Sequence, residues 1–236
     1  MLSLRATTCL SILATTLLLS PTQAATLRWP GPSAPCAASL QACIDGAADG
    51  DTILVTDAAF PITGTLSIAK SLTLSSDVGA RARFENAILS VTATRAGGQV
   101  TRLRKLHLTN SQVSVVIGNS NAADVFDLSM SELHISAPGN SEAIGISPVG
   151  TGSDNRVSLT HSRLSGKKLV SVPSGLPDTR LSISVRNNNL NVSRATHYGL
   201  SWGSMDGGSR LDFIGNRCEG LKIDFASCMA ISTARR

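Results

Sequence analysis

The chain has 236 residues, of which 42% are hydrophobic and only 3% aromatic, with a formal net charge of +5. This size and apolar content suit one domain with a sizeable core and exclude a disordered chain. So small a charge fits weak attraction to an acidic polysaccharide or an anionic cell surface; it does not mark a nucleic-acid interface, and no nucleic-acid partner is expected.

At the start, Arg5 precedes the apolar run "CLSILATTLLLS", which breaks at Pro21 and is followed by the small residues "TQA" ending at Ala24. Residues 1–24 therefore read as a secretory signal peptide, and the mature chain is expected to be secreted or periplasmic. The run is short for a bilayer span and no later stretch is apolar enough, so no transmembrane segment is expected after cleavage. Residues 36–50, "CAASLQACIDGAADG", predict a helix with Leu40, Cys43, Ile44 and Ala47 on one side and Gly50 as its stop. From "DTILV" onward the segments are short, and apolar residues alternate with polar ones, as in "TLSIAKSLTLSS", "AILSVTAT", "VSVVIG", "RVSLTHSRL", "RLSISVRN" and "SRLDFIGN".

These segments repeat. Leu133, Leu164, Leu190 and Cys218 align as anchors, at uneven intervals of roughly 28 residues. Seven and five positions before them stand the apolar pairs Phe126/Leu128, Val157/Leu159, Ile183/Val185 and Leu211/Phe213. Two positions before them stand Ser131, Ser162, Asn188 and Asn216, all small and polar. Leu106 would extend the series, but Gln99 and Thr101 fit its inward positions poorly. Such a period means stacked units that bury a core only together. Two-residue alternation excludes helical repeats, the period is long for leucine-rich repeats, and a propeller blade needs more residues and more aromatics. The expected fold is all-β: a single right-handed parallel β-helix of about seven coils over residues 51–236, after an N-terminal segment and amphipathic capping helix over 25–50.

Residues 39–76, "SLQACIDGAADGDTILVTDAAFPITGTLSIAKSLTLSS", resemble the opening of right-handed parallel β-helix repeat proteins with the pectin-lyase fold. In that family an amphipathic helix caps the solenoid, a "GDTI" strand starts the first coil and a "kslTL" coil follows. The counterparts are Leu40, Ile44, Gly50 to Ile53, Ile68 and Lys70 to Leu74. The resemblance implies a fold and not an activity, because this fold carries lyases, hydrolases, adhesins and inert scaffolds. It also bears on the cysteines. Cys36, Cys43, Cys218 and Cys228 are an even set in an exported chain, which suggests two disulfides, with three connectivities possible on paper. In the implied solenoid the first two lie at the start and the last two in the final coils, roughly 30 Å away. Cys36–Cys43 and Cys218–Cys228 are then the expected pairs, with Cys36 outside the helix.

No compact catalytic signature such as GxSxG, HExxH or GxxxxGK[ST] occurs, and neither a cofactor nor a metal centre is expected. The arginine motif of the family's pectate lyases and the NTD, DD and GHG settings of its polygalacturonases are also missing, so catalytic residues remain unassigned. Asp127 and Asp154 lie about one coil apart, although the "GTGSDN" context places Asp154 in a solvated turn. Arg102, Arg104 and Lys105, and later Arg156, Arg163, Lys167 and Lys168, suit a charged outer wall. The segment "RATHYGLSWGSMDGGSR", residues 194–210, reads as a long loop between coils. Its His197, Tyr198, Trp202, Asp206 and Arg210 are candidate sugar-binding residues, because sugar sites combine aromatic faces with polar groups.

His107, His134 and His161 recur at a constant interval. The first two sit between apolar neighbours and should point outward on adjacent coils, about 5 Å apart. Val157 and Leu159 take the inward positions of the third segment, so His161 is expected on the other face. Two histidines make an incomplete zinc site. The expected function is an exported scaffold or surface module that contacts an extracellular polysaccharide or cell-surface glycan. The alternative is a polysaccharide lyase or glycoside hydrolase acting on an acidic glycan.

Overall fold

The computed structural model describes residues 23–56, 60–80, 82–93, 97–118, 124–150, 154–173, 180–192, 198–202, 208–219 and 229–231. It opens with strand β1 (Thr26–Trp29), which the sequence pattern did not reveal, and helix α1 (Leu40–Gly46). The helix is shorter than the 36–50 expected. It starts at Ser39, whose hydroxyl accepts from the Ala42 amide, and Ala47 leaves it with extended backbone. Beyond Ala47 the buried Asp51 carboxylate accepts from the amides of Ala48 and Ala25, each at 2.7 Å. Those bonds commit the chain to a turn that also anchors β1, and the last helical turn is lost to them. Upstream, Cys36 stays outside the helix and is disulfide-bonded to Cys43 with α-carbons 4.3 Å apart. A continuous helix would hold residues seven apart at about 10 Å. Cys218 is also disulfide-bonded, while Cys228, its expected partner, lies outside the described residues.

The solenoid begins with β2 (Thr52–Val55), β3 (Ile62–Ile68), β4 (Leu72–Ser76) and β5 (Arg83–Ala93). Each later coil supplies three strands. The first set is β6 (Gln99–Arg104), β7 (His107–Thr109) and β8 (Gln112–Ile117), and the next is β9 (Val125–Ser131), β10 (His134–Ser136) and β11 (Glu142–Pro148). Then come β12 (Asp154–Thr160), β13 (Arg163–Gly166) and β14 (Lys168–Val172), followed by β15 (Arg180–Arg186), β16 (Asn189–Val192) and β17 (Tyr198–Trp202). The final set is β18 (Arg210–Ile214), β19 (Arg217–Glu219) and β20 (Met229–Ile231).

Pairing is parallel throughout. One face runs β1-β2-β4-β6-β9-β12-β15-β18, with β1 added before the first coil. The second runs β5-β7-β10-β13-β16-β19, and the third β3-β5-β8-β11-β14-β17-β20. Strand β5 serves both of the latter, through Arg83–Glu85 against β7 and Ile88–Ala93 against β8. The result is an all-β parallel solenoid of about six turns, with seven strands stacked on the first face from β2 onward.

Alternation explains the core. Inward residues such as Leu74, Leu89, Leu103, Leu108, Val115, Phe126, Leu128 and Leu190 are fully buried and form one cluster, which Leu40, Cys43 and Ile44 of α1 join. Gln99 and Thr101 also point inward: the Gln99 amide donates to the Thr101 hydroxyl, and that hydroxyl donates to the Lys70 carbonyl. Their coil is therefore regular despite its polar residues. The register differs from the expected alignment at one step. Ile135, and not Leu133, opposes Leu164, while Leu128 and Met130 oppose Val157 and Leu159. The slip is two residues, which preserves the face each side chain takes. Its cause is Asn155, a buried polar residue in the inward slot opposite Phe126.

With that register, the turn between the first and second faces repeats closely. Lys105, Glu132, His161, Asn187 and Gly215 occupy equivalent positions with φ of 55°, 56°, 49°, 56° and 67°. The next residues inward are Leu106, Leu133, Ser162, Asn188 and Asn216, all buried. The last three form a polar ladder. Leu133 N donates to Ser162 Oγ at 3.0 Å, Ser162 N to Asn188 Oδ1 at 2.9 Å, and Asn188 N to Asn216 Oδ1 at 3.0 Å. The amide nitrogens Nδ2 of Asn188 and Asn216 donate to the carbonyls of Leu159 and Val185 at 3.0 and 2.7 Å. At the N-terminal end, Arg28 pairs with Asp77 and ties β1 to the residue after β4.

Candidate functional site

The second face carries the most concentrated chemistry. Its strands are short, so each coil presents a narrow step with two outward positions. Register aligns the first of these as Arg83, His107, His134, Arg163, Asn189 and Arg217. The second aligns as Glu85, Thr109, Ser136, Ser165, Asn191 and Glu219. Adjacent rungs are about 4.8 Å apart. At both ends the rows neutralise each other: Arg83 pairs with Glu85, and Arg217 with Glu219 at 2.8 Å. In the middle, the exposed His107, His134 and Arg163 stand beside Thr109, Ser136 and Ser165 of the other row, which carry no charge. Arg163 makes no ion pair among the described residues.

The His107 and His134 rings meet edge to face with centroids 5.7 Å apart, close to the expected separation. On one side of them lies a hollow of about 430 Å³ that also includes Lys105, Glu132 and His161. On the other lies a smaller one of about 360 Å³ with Ser136, Arg163, Ser165 and Asn191. His161 therefore joins the pair, contrary to the expectation that it faces elsewhere. It does so from the left-handed turn, one coil beyond Glu132, where the strand alternation no longer governs its direction. The rung after His134 belongs to Arg163, which opposes it directly. The constant interval between the histidines hides this geometry, because the coil that follows His134 on the second face is longer than that interval.

The chain matches no family model, no curated protein and no solved structure.

The other candidates are dispersed. Asp127 lies between Val100 and Arg156, whereas Asp154, at the start of β12 and not in a turn, opposes Val125 and pairs with Arg156 at 3.1 Å. The two carboxylates do not meet. The basic residues form no single strip. Arg102, Arg104 and Arg156 sit on the first face, Arg163 on the second, and Lys168 on the third, paired with Glu142 at 3.5 Å. Of the 194–210 segment, Tyr198 and Trp202 begin and end β17 on the third face, and the exposed Arg210 begins β18 on the first. The expected long loop thus contains a strand. His197 and Asp206 lie outside the described residues. Among the described residues no three His, Cys, Asp or Glu side chains are grouped as metal ligands, and no helix is long and apolar enough to cross a membrane.

Proposed function

We propose that this chain is an exported, non-catalytic β-helix module, of the pectin-lyase-like type, whose second face contacts an extracellular glycan. In this reading residues 1–24 are the export signal and α1 closes the N-terminal end of the stack. One observation carries it: a register-aligned row of exposed imidazole, guanidinium and hydroxyl groups, continued by half-buried amides, crosses successive coils beside two hollows. A linear ligand running along the solenoid axis would meet a fresh hydrogen-bonding rung about every 4.8 Å. Such a groove binds through many modest contacts and needs no deep pocket.

The test is binding of the purified mature chain to a panel of immobilised neutral and acidic polysaccharides. Saturable binding to at least one is expected, and failure to bind any would refute the reading. A lyase or hydrolase remains the second reading, favoured by the carboxylate of Glu132 and the imidazole of His161 lining one hollow with Lys105. A carboxylate and an imidazole beside a cation are the parts of general acid–base chemistry. Unsaturated or new reducing ends appearing on any bound glycan, and disappearing with Glu132→Gln, would establish catalysis in place of mere contact.

A further inference from the structure

We infer that His107, His134 and Arg163 form a polyanion site whose grip tightens as the medium becomes acidic, without a metal ion. The inference rests on the glycan-contacting reading above and names the ligand class: a linear glycan bearing repeated carboxylate or sulfate groups. Three consecutive rungs of one outward row supply the binding groups, with the imidazoles 5.7 Å apart and Arg163 directly opposite His134. Histidine is the side chain that ordinarily takes up a proton between neutral and weakly acidic pH, whereas glycan carboxylates and sulfates stay ionised there.

The surroundings set the sign. Facing the imidazoles are Arg83 and Glu85 from β5, which pair with each other. Lys105 lies on the turn before β7, and Glu132 and His161 lie on the turns before β10 and β13. Arg104 reaches within 4.0 Å of Glu132. Among the described residues Glu132 is thus the one carboxylate beside the pair not already matched by a close ion pair, against the cations of Lys105 and Arg163. Protonating two neighbouring imidazoles adds two like charges at short range, a repulsion that an anion spanning both rungs relieves. Proton uptake and polyanion binding are therefore linked, each favouring the other. The hydroxyls of Ser136 and Ser165 in the adjacent row supply neutral hydrogen bonds that orient the ligand without opposing its charge.

The experiment is titration calorimetry with three oligosaccharide probes in EDTA at pH 7.5 and 5.5: one carboxylated, one sulfated and one neutral. Two exposed charge pairs formed on acidification amount to an affinity increase of about fivefold for an acidic probe. Net proton uptake should accompany binding, seen as a dependence of the heat on the buffer's ionisation enthalpy. The His107→Asn/His134→Asn double variant should bind with less than about twofold dependence on pH, while Arg163→Gln should weaken binding at both pH values. All these positions are exposed, and circular dichroism checks that the variants fold. Binding to an acidic probe that is independent of pH, or an acid-strengthened affinity that survives the double variant, would overturn this inference and leave the glycan-contacting reading standing. Binding to none of the probes, or to the neutral one alone, would overturn the polyanion site, and the wider polysaccharide panel then decides the reading on which it rests.

Discussion

Asn188→Ala is expected to be among the most damaging single changes outside the apolar core. The side chain is 2% exposed and fully engaged: it accepts from Ser162 N at 2.9 Å and donates to Leu159 O at 3.0 Å and Asn216 Oδ1 at 2.9 Å. Truncation strands the buried Ser162 amide and removes one partner of the Leu159 carbonyl, at about 1–3 kcal/mol for each buried group left unpaired. A loss of about 3 kcal/mol is therefore expected, a large part of the roughly 5–15 kcal/mol that typically holds a domain together. For a chain of this size that corresponds to a melting temperature lower by about 6–12 °C. Urea unfolding gives the global loss, and hydrogen exchange at the Ser162 amide reports the local one. Asn188→Asp probes the donor half alone. It keeps an oxygen for Ser162 N but turns oxygens toward Leu159 O and Asn216 Oδ1, so it should destabilise at neutral pH and partly recover once the new carboxyl is protonated. An Asn188→Ala protein within about 0.5 kcal/mol of the parent, with Ser162 protection unchanged, would refute the ladder as a source of stability.

Replacing Cys36 and Cys43 together by Ser should cost about 2.5 kcal/mol from chain entropy for so short a loop, read from urea midpoints without reductant so that the bond at Cys218 is undisturbed. The Asp77 carboxyl is held below its ordinary value by the Val78 amide and then by Arg28, although its partial desolvation opposes this. A lowered folded-state value means that its contribution is complete above the unfolded value and fades as pH falls through the folded one. Asp77→Asn should thus lower the urea midpoint at pH 6, with a deficit that shrinks as the pH falls below 3.8; a deficit that stays constant on acidification would contradict the assignment. Gly166 adopts φ of 151°, and a β-carbon there would come within 2.8 Å of Ala137 Cβ. Gly166→Ala should therefore lower thermal stability measurably by forcing the neighbouring coil to shift, and an unchanged melting curve would show that the coils slide freely at that corner.

Alternation made the strands and their inward faces legible, because a buried sheet face imposes a period of two whatever the register. Register itself was less secure. Counting apolar residues slides one coil by two positions because Asn155 faces inward, and a polar inward residue is invisible to such a count. The same slip hides Arg163 as the rung after His134, whereas extending the strand alternation into the left-handed turn puts His161 on the wrong side. Left-handed backbone at Lys105 and Glu132 could not be anticipated from residues that do not favour it, unlike His161, Asn187 and Gly215 at equivalent positions. The signal that could have located the turn is that Asn187 and Gly215, one coil apart, precede the buried Asn188 and Asn216. Strand β1 carries no such signal, because "TLRW" is too short to establish an alternation.

The hydrogen-bonded ladder also has a direction. Leu133 leans on Ser162, Ser162 on Asn188, and Asn188 on Asn216, so each of these three coils borrows its acceptor from the coil that follows it. Chains are made from the N-terminus, which means that each of these turns stays incomplete until the next has arrived. Removing coils from the front would orphan no amide in the ladder, whereas removing them from the back would leave one bare at the new edge. Growth of such a stack by duplication would be easiest where a coil brings its own asparagine, since that residue repairs the coil already in place.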